Sequence, residues 1–249
     1  MKRNKKWRNM MISGLALLVL LGVLEYKGVI SHNSIFANAY EVKGLDVSHY
    51  QGEINWQQIK ATGKYEFMFV KATEGKDYTD KWFEANWQGA REQRFLTGAY
   101  HFFTTMSTGE EQAAHFIKTV PYESDSLPPV IDLEISLDHD QAKIHKELQA
   151  LADGMEAGYG KKPILYVTYD TYHTYIENVS AFAAYEIWIR DIVKHPKLEE
   201  RGWQFWQYHN RGHVAGIDMY VDINVFKGSR GAFMKQFAVS NLTNTEQKG

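Results

Sequence analysis

Short apolar runs alternate with segments of helical periodicity along most of this chain, and that alternation constrains its fold most strongly. Five of these runs are typical of buried β-strands: residues 44–48, 67–73, 97–103, 129–135 and 164–168. Between them, apolar residues recur at three- and four-residue intervals, as they do in amphipathic helices. Such strand–helix alternation predicts parallel strands joined by right-handed crossovers.

The spacing changes after residue 184. Residues 185–190, 203–208 and 220–226 are three more strand-like runs, and their connections are too short for crossovers of a dozen or more residues. We therefore predict an α/β fold, a TIM-like (β/α)5(β)3 barrel in which five β/α units and three final strands close one sheet. An open doubly wound sheet is the alternative, but it leaves the last three strands hard to place.

Two of the intervening helices have clear boundary signals. Thr108 with Glu111 fits a capping box, which predicts the start of a helix at this point. Apolar residues follow a helical period across 144–155, and Gly158 and Gly160 then predict the end of that helix.

The start of the chain has the pattern of an export signal. Five lysines and arginines lie within residues 2–8, and the apolar run 10–24 behind them is uncharged. The sequence Ala37-Asn38-Ala39 resembles a cleavage site, although it lies far beyond the apolar run. Two outcomes stay open: cleavage after Ala39, or retention as a membrane anchor with the basic residues in the cytoplasm.

We therefore expect three parts: an export signal or membrane anchor at 1–39, one barrel domain at 40–237 and a flexible tail at 238–249. The protein is expected to be exported, either extracellular or anchored to the outer face of the cytoplasmic membrane. Only the N-terminal segment is expected to contact the membrane, and the barrel is expected to be a monomer.

Charge and composition exclude some classes of function. The chain has a formal charge of −2, and removing residues 1–39, with six basic residues and one acid, leaves −7. Nucleic acids favour a basic face, so we expect no nucleic-acid partner. The chain has no cysteine, so its stability must come from its core. Aromatic residues make up 14% of the chain, which suits an aromatic core or a cleft with stacking platforms for sugar rings.

Two acids lie two residues apart on the run 129–135. Side chains alternate along a strand, so Asp132 and Glu134 share one face while Ile131 and Leu133 point to the other. Buried neighbouring acids are costly and persist when they are hydrogen-bonded, bind a metal or have separated pKa values. The alternative is a strand end with two solvated acids.

Polar side chains fall toward the ends of other strands as well, where a barrel of this kind carries its chemistry. These are Asp46, Glu74, Tyr166, Trp188, Arg190, Asp222 and Asn224. Each has an alternative to a role in the site. Glu74 and Arg190 could form an ion pair inside the barrel, and Asp46 could cap the turn that follows it.

Histidines do not indicate a metal site. His49, His101 and His209 lack zinc-site spacing, so we interpret them as polar lining or substrate contacts. No metal or cofactor is expected.

Convergent carboxylates without metal-ligand histidines indicate cleavage of a glycosidic bond, by a retaining or an inverting route. One acid must protonate the leaving oxygen while another stabilises the positive centre, attacks it or activates water. We assign the proton to Glu134, because its longer side chain reaches farther and repulsion from Asp132 raises its pKa.

Five motifs in order resemble the family 25 glycoside hydrolases, the Chalaropsis-type lysozymes or N-acetylmuramidases. They are GLDVSHYQG at 44–52, FVKATEG at 69–75, GAYHF at 98–102, PVIDLE at 129–134 and VDINVF at 221–226. The resemblance implies a five-β/α, three-β barrel that cuts the β-1,4 bond between N-acetylmuramic acid and N-acetylglucosamine in the glycan strands of peptidoglycan.

By motif, the resemblance also implies roles for single residues. Glu134 matches the family's proton donor. Asp132 matches its neighbouring acid, which acts as the nucleophile or as the partner of the substrate's acetamido group. Asp46 and Asp222 match the remaining acids of the pocket. Substrate contacts are expected from Tyr100, Tyr166, Trp188, Glu74, His101, Arg190 and Gln207.

Two other functions remain as alternatives. One is a non-catalytic glycan-binding module that uses the same aromatic cleft. The other is a metal-dependent phosphodiesterase on a similar barrel, with Asp46, Glu74, Asp132 and Glu134 as oxygen ligands.

Overall fold

A closed barrel forms the body of the molecule. The structure, a computed structural model, describes residues 2–198 and 201–237. Its strands are β1 (Lys43–Val47), β2 (Phe67–Glu74), β3 (Tyr78–Thr79), β4 (Leu96–Phe102), β5 (Val130–Leu133), β6 (Ile164–Val167), β7 (Ile187–Arg190), β8 (Phe205–Gly212) and β9 (Val221–Phe226). They pair in the order β1-β9-β8-β7-β6-β5-β4-β2-β3, and β1 also pairs with β2 to close the ring. The predicted eight-stranded barrel is confirmed, with the short strand β3 as an addition that the sequence analysis missed.

Strand direction defines two ends of the barrel. Neighbouring strands are parallel around the ring except at β9, which is antiparallel to both β8 and β1. We call the end with the carboxyl termini of the parallel strands the mouth, and the opposite end the floor. Since β9 runs the other way, its first residues lie at the mouth.

Helices surround the barrel and one closes its floor. They are α1 (Lys2–Tyr26), α2 (Ser34–Ala37), α3 (Trp56–Ala61), α4 (Phe83–Glu92), α5 (Gly109–Thr119), α6 (Gln141–Tyr159), α7 (Tyr169–Tyr175) and α8 (Arg230–Phe237). Helices α3 to α7 belong to the five predicted β/α units. The capping box at Thr108 is present, whereas α6 continues through Gly158 and ends where Gly160 adopts φ +63°.

Aromatic side chains fill the barrel near its floor. Phe67, Phe69 and Phe205 contact one another inside, with ring centroids 5.2 to 5.7 Å apart. Helix α8, which the sequence analysis did not predict, adds Phe233 to this cluster, 5.6 Å from Phe67. A side chain at Gly44 would come within 2.4 Å of the Phe67 ring, so the missing Cβ makes room for this packing.

The N-terminal segment differs from the prediction in part. Helix α1 is exposed and is long and apolar enough to cross a membrane, properties that a signal sequence near the N-terminus shares. The residues after it, which the sequence analysis assigned to a leader outside the globular part, contact the barrel: Gly28, Asn33 and Ala37 are buried. The predicted tail at 238–249 lies outside the described residues.

Candidate active site

A cleft of about 400 Å³ opens at the mouth of the barrel. Nine of the eleven residues predicted to form a site line it: Asp46, Glu74, Tyr100, Asp132, Glu134, Tyr166, Trp188, Gln207 and Asp222. They come from all eight strands of the ring or from the residue that follows one of them, as expected where the strands of a barrel meet at one end. The remaining two, His101 and Arg190, are described below.

Asp132 and Glu134 face the cleft from β5 and the residue that follows it. Leu133 between them is fully buried outside the barrel wall, as the two-residue alternation predicts. Asp132 is 8% exposed, while the Glu134 side chain is 36% exposed. The two acids therefore share one cavity but differ in their contact with solvent.

Both acids hold protons more strongly than usual. Burial, followed by the nearby charge of Glu134, raises the pKa of Asp132 well above its ordinary value. Burial also raises the pKa of Glu134, and Arg190 opposes that rise. The direction for Glu134 agrees with the prediction, but burial is its main cause, whereas the prediction assigned it to repulsion from Asp132. Because the acids titrate together, the pair retains a proton at pH values where exposed carboxyl groups are ionised.

Arg190 and Glu74 do not pair with each other, so the interior ion pair considered as an alternative is wrong. Arg190 lies at the edge of the cleft, and its Nε atom is 3.9 Å from Glu134 Oε1. Glu74 Oε2 instead accepts a 2.8 Å hydrogen bond from Lys71 Nζ. Each cation therefore balances a different acid around the cleft.

Asp46 is held by two amide side chains. Its Oδ2 atom accepts hydrogen bonds from Asn224 Nδ2 at 2.7 Å and Gln207 Nε2 at 3.2 Å. These bonds face the barrel interior, so the alternative role of Asp46 as a turn cap is wrong; Ser48 caps the following turn. Burial raises the pKa of Asp46, the two amide donors lower it, and the net result is a pKa of about 6.

Asp222 lies directly opposite Asp46 in the β1–β9 pairing. Burial and the charge of Asp46 raise the pKa of Asp222 well above its ordinary value. A second proton-holding pair of acids thus stands across the cleft from Asp132 and Glu134.

Aromatic residues form the inner wall and hold the amides in place. Tyr166 donates its hydroxyl proton to Gln207 Oε1 at 2.9 Å, and Trp188 Nε1 donates to Asn224 Oδ1 at 2.8 Å. The Tyr166 and Trp188 rings meet edge to face, 4.6 Å between centroids. These contacts fix which amide atoms face Asp46, because each oxygen is already occupied as an acceptor.

His101 does not reach the cleft, and its predicted role in substrate binding is wrong. It follows Tyr100 on β4, so when Tyr100 faces inward His101 faces the helices. Its Nε2 lies 3.0 Å from Gln112 Oε1 on α5 and its Nδ1 lies 2.7 Å from Thr73 Oγ1. Burial lowers the pKa of His101 to about 4, so it is a neutral packing residue.

The other histidines named with it also lie outside the cleft lining. His49 is held at the rim by Asp80, 2.7 Å from Nδ1 to Oδ2. His209 lies beside Gly28 of the N-terminal segment. Among the residues that the structure describes, no three histidines or acids are grouped as ligands for a metal ion.

Six lining residues were not among the predicted site residues: Val47, Ser48, Tyr50, Gln51, Lys71 and Phe102. Lys71 lies two residues after Phe69 on β2, so the two side chains share a face. The Phe69 ring is inside the barrel, and a strict two-residue period therefore places Lys71 inside as well. The register of β2 then shifts between Lys71 and Thr73. This bulge brings Glu74 to the same face as Lys71 and turns Thr73 toward the helices.

Comparisons with known proteins agree with this geometry. Residues 45–217 match the profile described as Glycosyl hydrolases family 25. The chain is 35% identical to the Escherichia coli protein YegX, over 77% of this chain and 71% of that protein. It is 30% identical to Lysozyme M1 of Streptomyces globisporus, over 83% of this chain and 74% of that protein.

Solved structures show the same barrel. The family 25 glycosyl hydrolase of Bacillus anthracis superposes with a TM-score of 0.75 at 41% identity, covering 80% of this chain and 94% of that one. The matched span holds the acid-lined mouth from β1 to the loop before β9. The chain therefore belongs to glycosyl hydrolase family 25 and is a glycoside hydrolase.

Proposed function

We propose that this protein is an N-acetylmuramidase that hydrolyses the β-1,4 bond between N-acetylmuramic acid and N-acetylglucosamine in peptidoglycan. Glu134 acts as the general acid and Asp132 as its partner carboxylate. The observation that carries the proposal is the pair of acids that line one open cleft and both have raised pKa values. Relatives named lysozyme support the assignment of the substrate class.

Glu134 suits the role of proton donor for three reasons. Its side chain is more exposed than that of Asp132, so it can meet a glycosidic oxygen entering from solvent. Burial raises its pKa, so it keeps a proton to higher pH than an exposed glutamate does. Arg190, close to Oε1, stabilises the carboxylate that remains after the proton leaves.

Asp132 suits the role of partner because it lines the cleft beside Glu134 and one of its oxygens has no hydrogen-bond partner among the described residues. Within the described residues, Asp132 Oδ1 is buried and makes no hydrogen bond. A buried carboxyl oxygen without a partner is costly. At the cleft, the Asp132 carboxyl group would accept a hydrogen bond from a substrate acetamido N–H, or would stabilise the positive centre as the glycosidic bond breaks.

Asp46 and Asp222 place two further carboxyl groups on the opposite wall, and Tyr100, Tyr166 and Trp188 supply apolar faces for sugar rings. Carboxylates stabilise an oxocarbenium-like centre electrostatically. Aromatic faces pack against the apolar faces of sugars, which positions the glycan with little cost in side-chain entropy. Export of the protein, which the basic and apolar N-terminal segment favours, would bring this cleft to its substrate.

Digestion of purified peptidoglycan tests the bond specificity. We expect new reducing ends on N-acetylmuramic acid after reduction with borohydride and analysis of the fragments. Reducing ends on N-acetylglucosamine, or released peptides alone, would contradict the proposal.

The Glu134→Gln variant tests the role of the acid. It keeps the shape of the side chain but cannot transfer a proton, so we expect turnover to fall by about 10² to 10⁴-fold while binding to glycan fragments is retained. The matched control is Glu92→Gln, which changes an exposed glutamate near the floor end of α4. Wild-type protein that binds glycan with no turnover would instead indicate a binding module.

A further inference from the structure

Helix α1 projects away from the barrel and suits a lipid environment. Residues Lys5–Tyr26 span 22 residues, and the most apolar part of this span has none of its residues buried against the protein. At 1.5 Å per residue the span measures about 33 Å, which matches the roughly 30 Å of a bilayer core. Because the helix does not lie along the barrel, a bilayer can surround it.

The segment behind α1, residues 27–38, is fastened to the barrel; we call it the strap. Asn33 is fully buried, and its Nδ2 donates to the carbonyl oxygens of Asp191 at 3.1 Å and Tyr208 at 3.3 Å. His213 Nε2 donates to the Lys27 carbonyl at 2.9 Å. Two loops of the barrel, separated in sequence, therefore hold one short piece of chain.

Gly28 shows how closely the strap fits. It adopts φ +67°, and a Cβ atom built there would lie 1.8 Å from the Arg211 carbonyl oxygen. A side chain at this position would therefore push the strap off β8. The contact requires glycine both for its backbone conformation and for the close approach.

All these contacts lie at the mouth end of the barrel. Asp191 follows the carboxyl end of β7, Tyr208 follows Gln207, which pairs with Arg190 at that end, and Arg211 lies in the second half of β8. Arg211 Nη1 also donates to the carbonyl of Tyr26, the last residue of α1, at 2.7 Å. The end of the membrane-length helix is thus fixed beside the cleft rather than beside the floor.

Exposed apolar side chains surround this junction. Val29 of the strap is 61% exposed, Val193 of the loop behind β7 is 70% exposed and Met219 of the loop before β9 is 56% exposed. Tyr26 and Tyr220 are also exposed there. Tyrosine beside apolar residues at the end of a spanning helix is typical of the membrane–water interface.

Cleavage after Ala39 would remove a buried part of the fold. It would take away Asn33 and Ala37, both fully buried, together with the hydrogen bonds that Asn33 donates to two carbonyl groups of the barrel. Each lost hydrogen bond costs about 1 kcal/mol, and the cavity left by Ala37 adds to this. Retention of the strap therefore agrees better with the packing than removal does.

We propose that the strap holds the mouth of the barrel toward the outer surface of the membrane, so that the enzyme acts on glycan strands still attached to the bilayer by a lipid. The substrate part of this proposal rests on the muramidase function proposed above. A short series of contacts joins the cleft to the anchor: Gln51 in the cleft wall donates to the Tyr220 carbonyl at 2.8 Å, and the Tyr220 ring packs on His213, which bonds to Lys27.

Single cysteine labels test the orientation, since the natural chain has no cysteine. Met219→Cys places a fluorophore at the mouth and Lys64→Cys places one at the floor, both at exposed positions. The full chain is reconstituted in phosphatidylcholine–phosphatidylglycerol vesicles that contain a headgroup-attached quencher. We expect the label at 219 to lose most of its emission and the label at 64 to keep most of it. Equal quenching, or stronger quenching at 64, would overturn the orientation.

Insertion of about 20 glycine and serine residues between Tyr26 and Lys27 tests whether the strap sets the orientation of the barrel on the membrane. This linker leaves the strap docked but separates it from α1 by roughly 25 Å on average. We expect the difference in quenching between the two labels to disappear. An unchanged difference would mean that the barrel surface, rather than the strap, sets the orientation.

The same insertion tests the substrate. Rates are compared on uncross-linked glycan strands that carry a polyprenyl pyrophosphate in the vesicle membrane, and on soluble peptidoglycan fragments. We expect the ratio of the two rates to fall roughly threefold or more, because the linker lowers the effective concentration of the cleft near the membrane. An unchanged ratio would overturn the substrate inference.

These outcomes are distinct from failure of the proposed function. No cleavage of either substrate, with the quenching difference intact, would reject the muramidase and leave the orientation standing. Cleavage of both substrates by protein recovered only from the medium, starting near Tyr40, would reject the anchor and leave the muramidase standing.

Discussion

Replacement of Asp46 by asparagine tests whether the acids of the cleft are buried at a cost to stability. Asp46 is 7% exposed, and burial raises its pKa to about 6 although Asn224 and Gln207 donate hydrogen bonds to it. The substitution removes the charge and retains the shape. The useful quantity is the change with pH in the free energy of unfolding, compared between wild type and Asp46→Asn.

The sign follows from proton binding. Folded Asp46 keeps its proton up to about pH 6, whereas the unfolded chain releases it near 3.8. Between these values the folded state binds more protons, so the free energy of unfolding decreases as the pH rises. The separation of about two pKa units corresponds to about 3 kcal/mol, of which about 2 kcal/mol is lost between pH 4.5 and 7.5.

Urea unfolding of the full chain in mild detergent, followed by tryptophan fluorescence, measures this at pH 4.5, 6 and 7.5. We expect Asp46→Asn to gain about 2 kcal/mol relative to wild type from the lowest to the highest pH. Rearranged hydrogen bonds to the new amide add a cost that is the same at every pH. Asp77→Asn, at an exposed aspartate, is the control. Parallel pH curves for wild type and Asp46→Asn would refute the reasoning.

Three other changes have defined outcomes. Arg190→Met removes the cation that lowers the pKa of Glu134, so the basic limb of the kcat/KM profile should move to higher pH; a shift to lower pH would contradict this. Phe233→Ala leaves a cavity in the floor and should cost roughly 3–5 kcal/mol of unfolding free energy with KM unchanged, measured by urea unfolding and kinetics. Thorough chelation should leave turnover unchanged; loss of turnover that added metal restores would favour the metal-dependent phosphodiesterase.

The sequence was sufficient to predict the barrel and the four acids of the cleft, because both depend on simple periods. Alternation along a strand puts Asp132 and Glu134 on the face opposite Leu133, and Asp46 on the face opposite Leu45 and Val47. The strand–helix spacing then brings strands from distant parts of the chain to one mouth. These are local regularities, so no tertiary contact has to be known in advance.

Other features depend on tertiary contacts that local patterns do not contain. The bulge in β2 breaks the two-residue period and brings Glu74 to the same face as Lys71. Glu74 therefore pairs with Lys71 on its own strand rather than with Arg190. His101 is an exception, because strand alternation beside inward-facing Tyr100 is enough to turn it toward α5, and the prediction did not apply that rule to it. Helix α8 has only eight residues, and short helices are stable mainly through packing; here Phe233 and Phe237 pack against the floor.

The aromatic floor also explains how a cluster of acids can persist at the mouth. Trp188 stacks on Phe69 with ring centroids 4.7 Å apart, and its Nε1 atom holds Asn224, which in turn donates to Asp46. The rings that fill the barrel therefore also position the donors that bind the acid. Because the floor is closely packed, Asp46 and its neighbours cannot move apart when one of them ionises. Burial, followed by the charges of neighbouring acids at Asp132 and Asp222, raises the pKa values of these groups, and raised pKa values keep the protons that cleavage of a glycosidic bond requires.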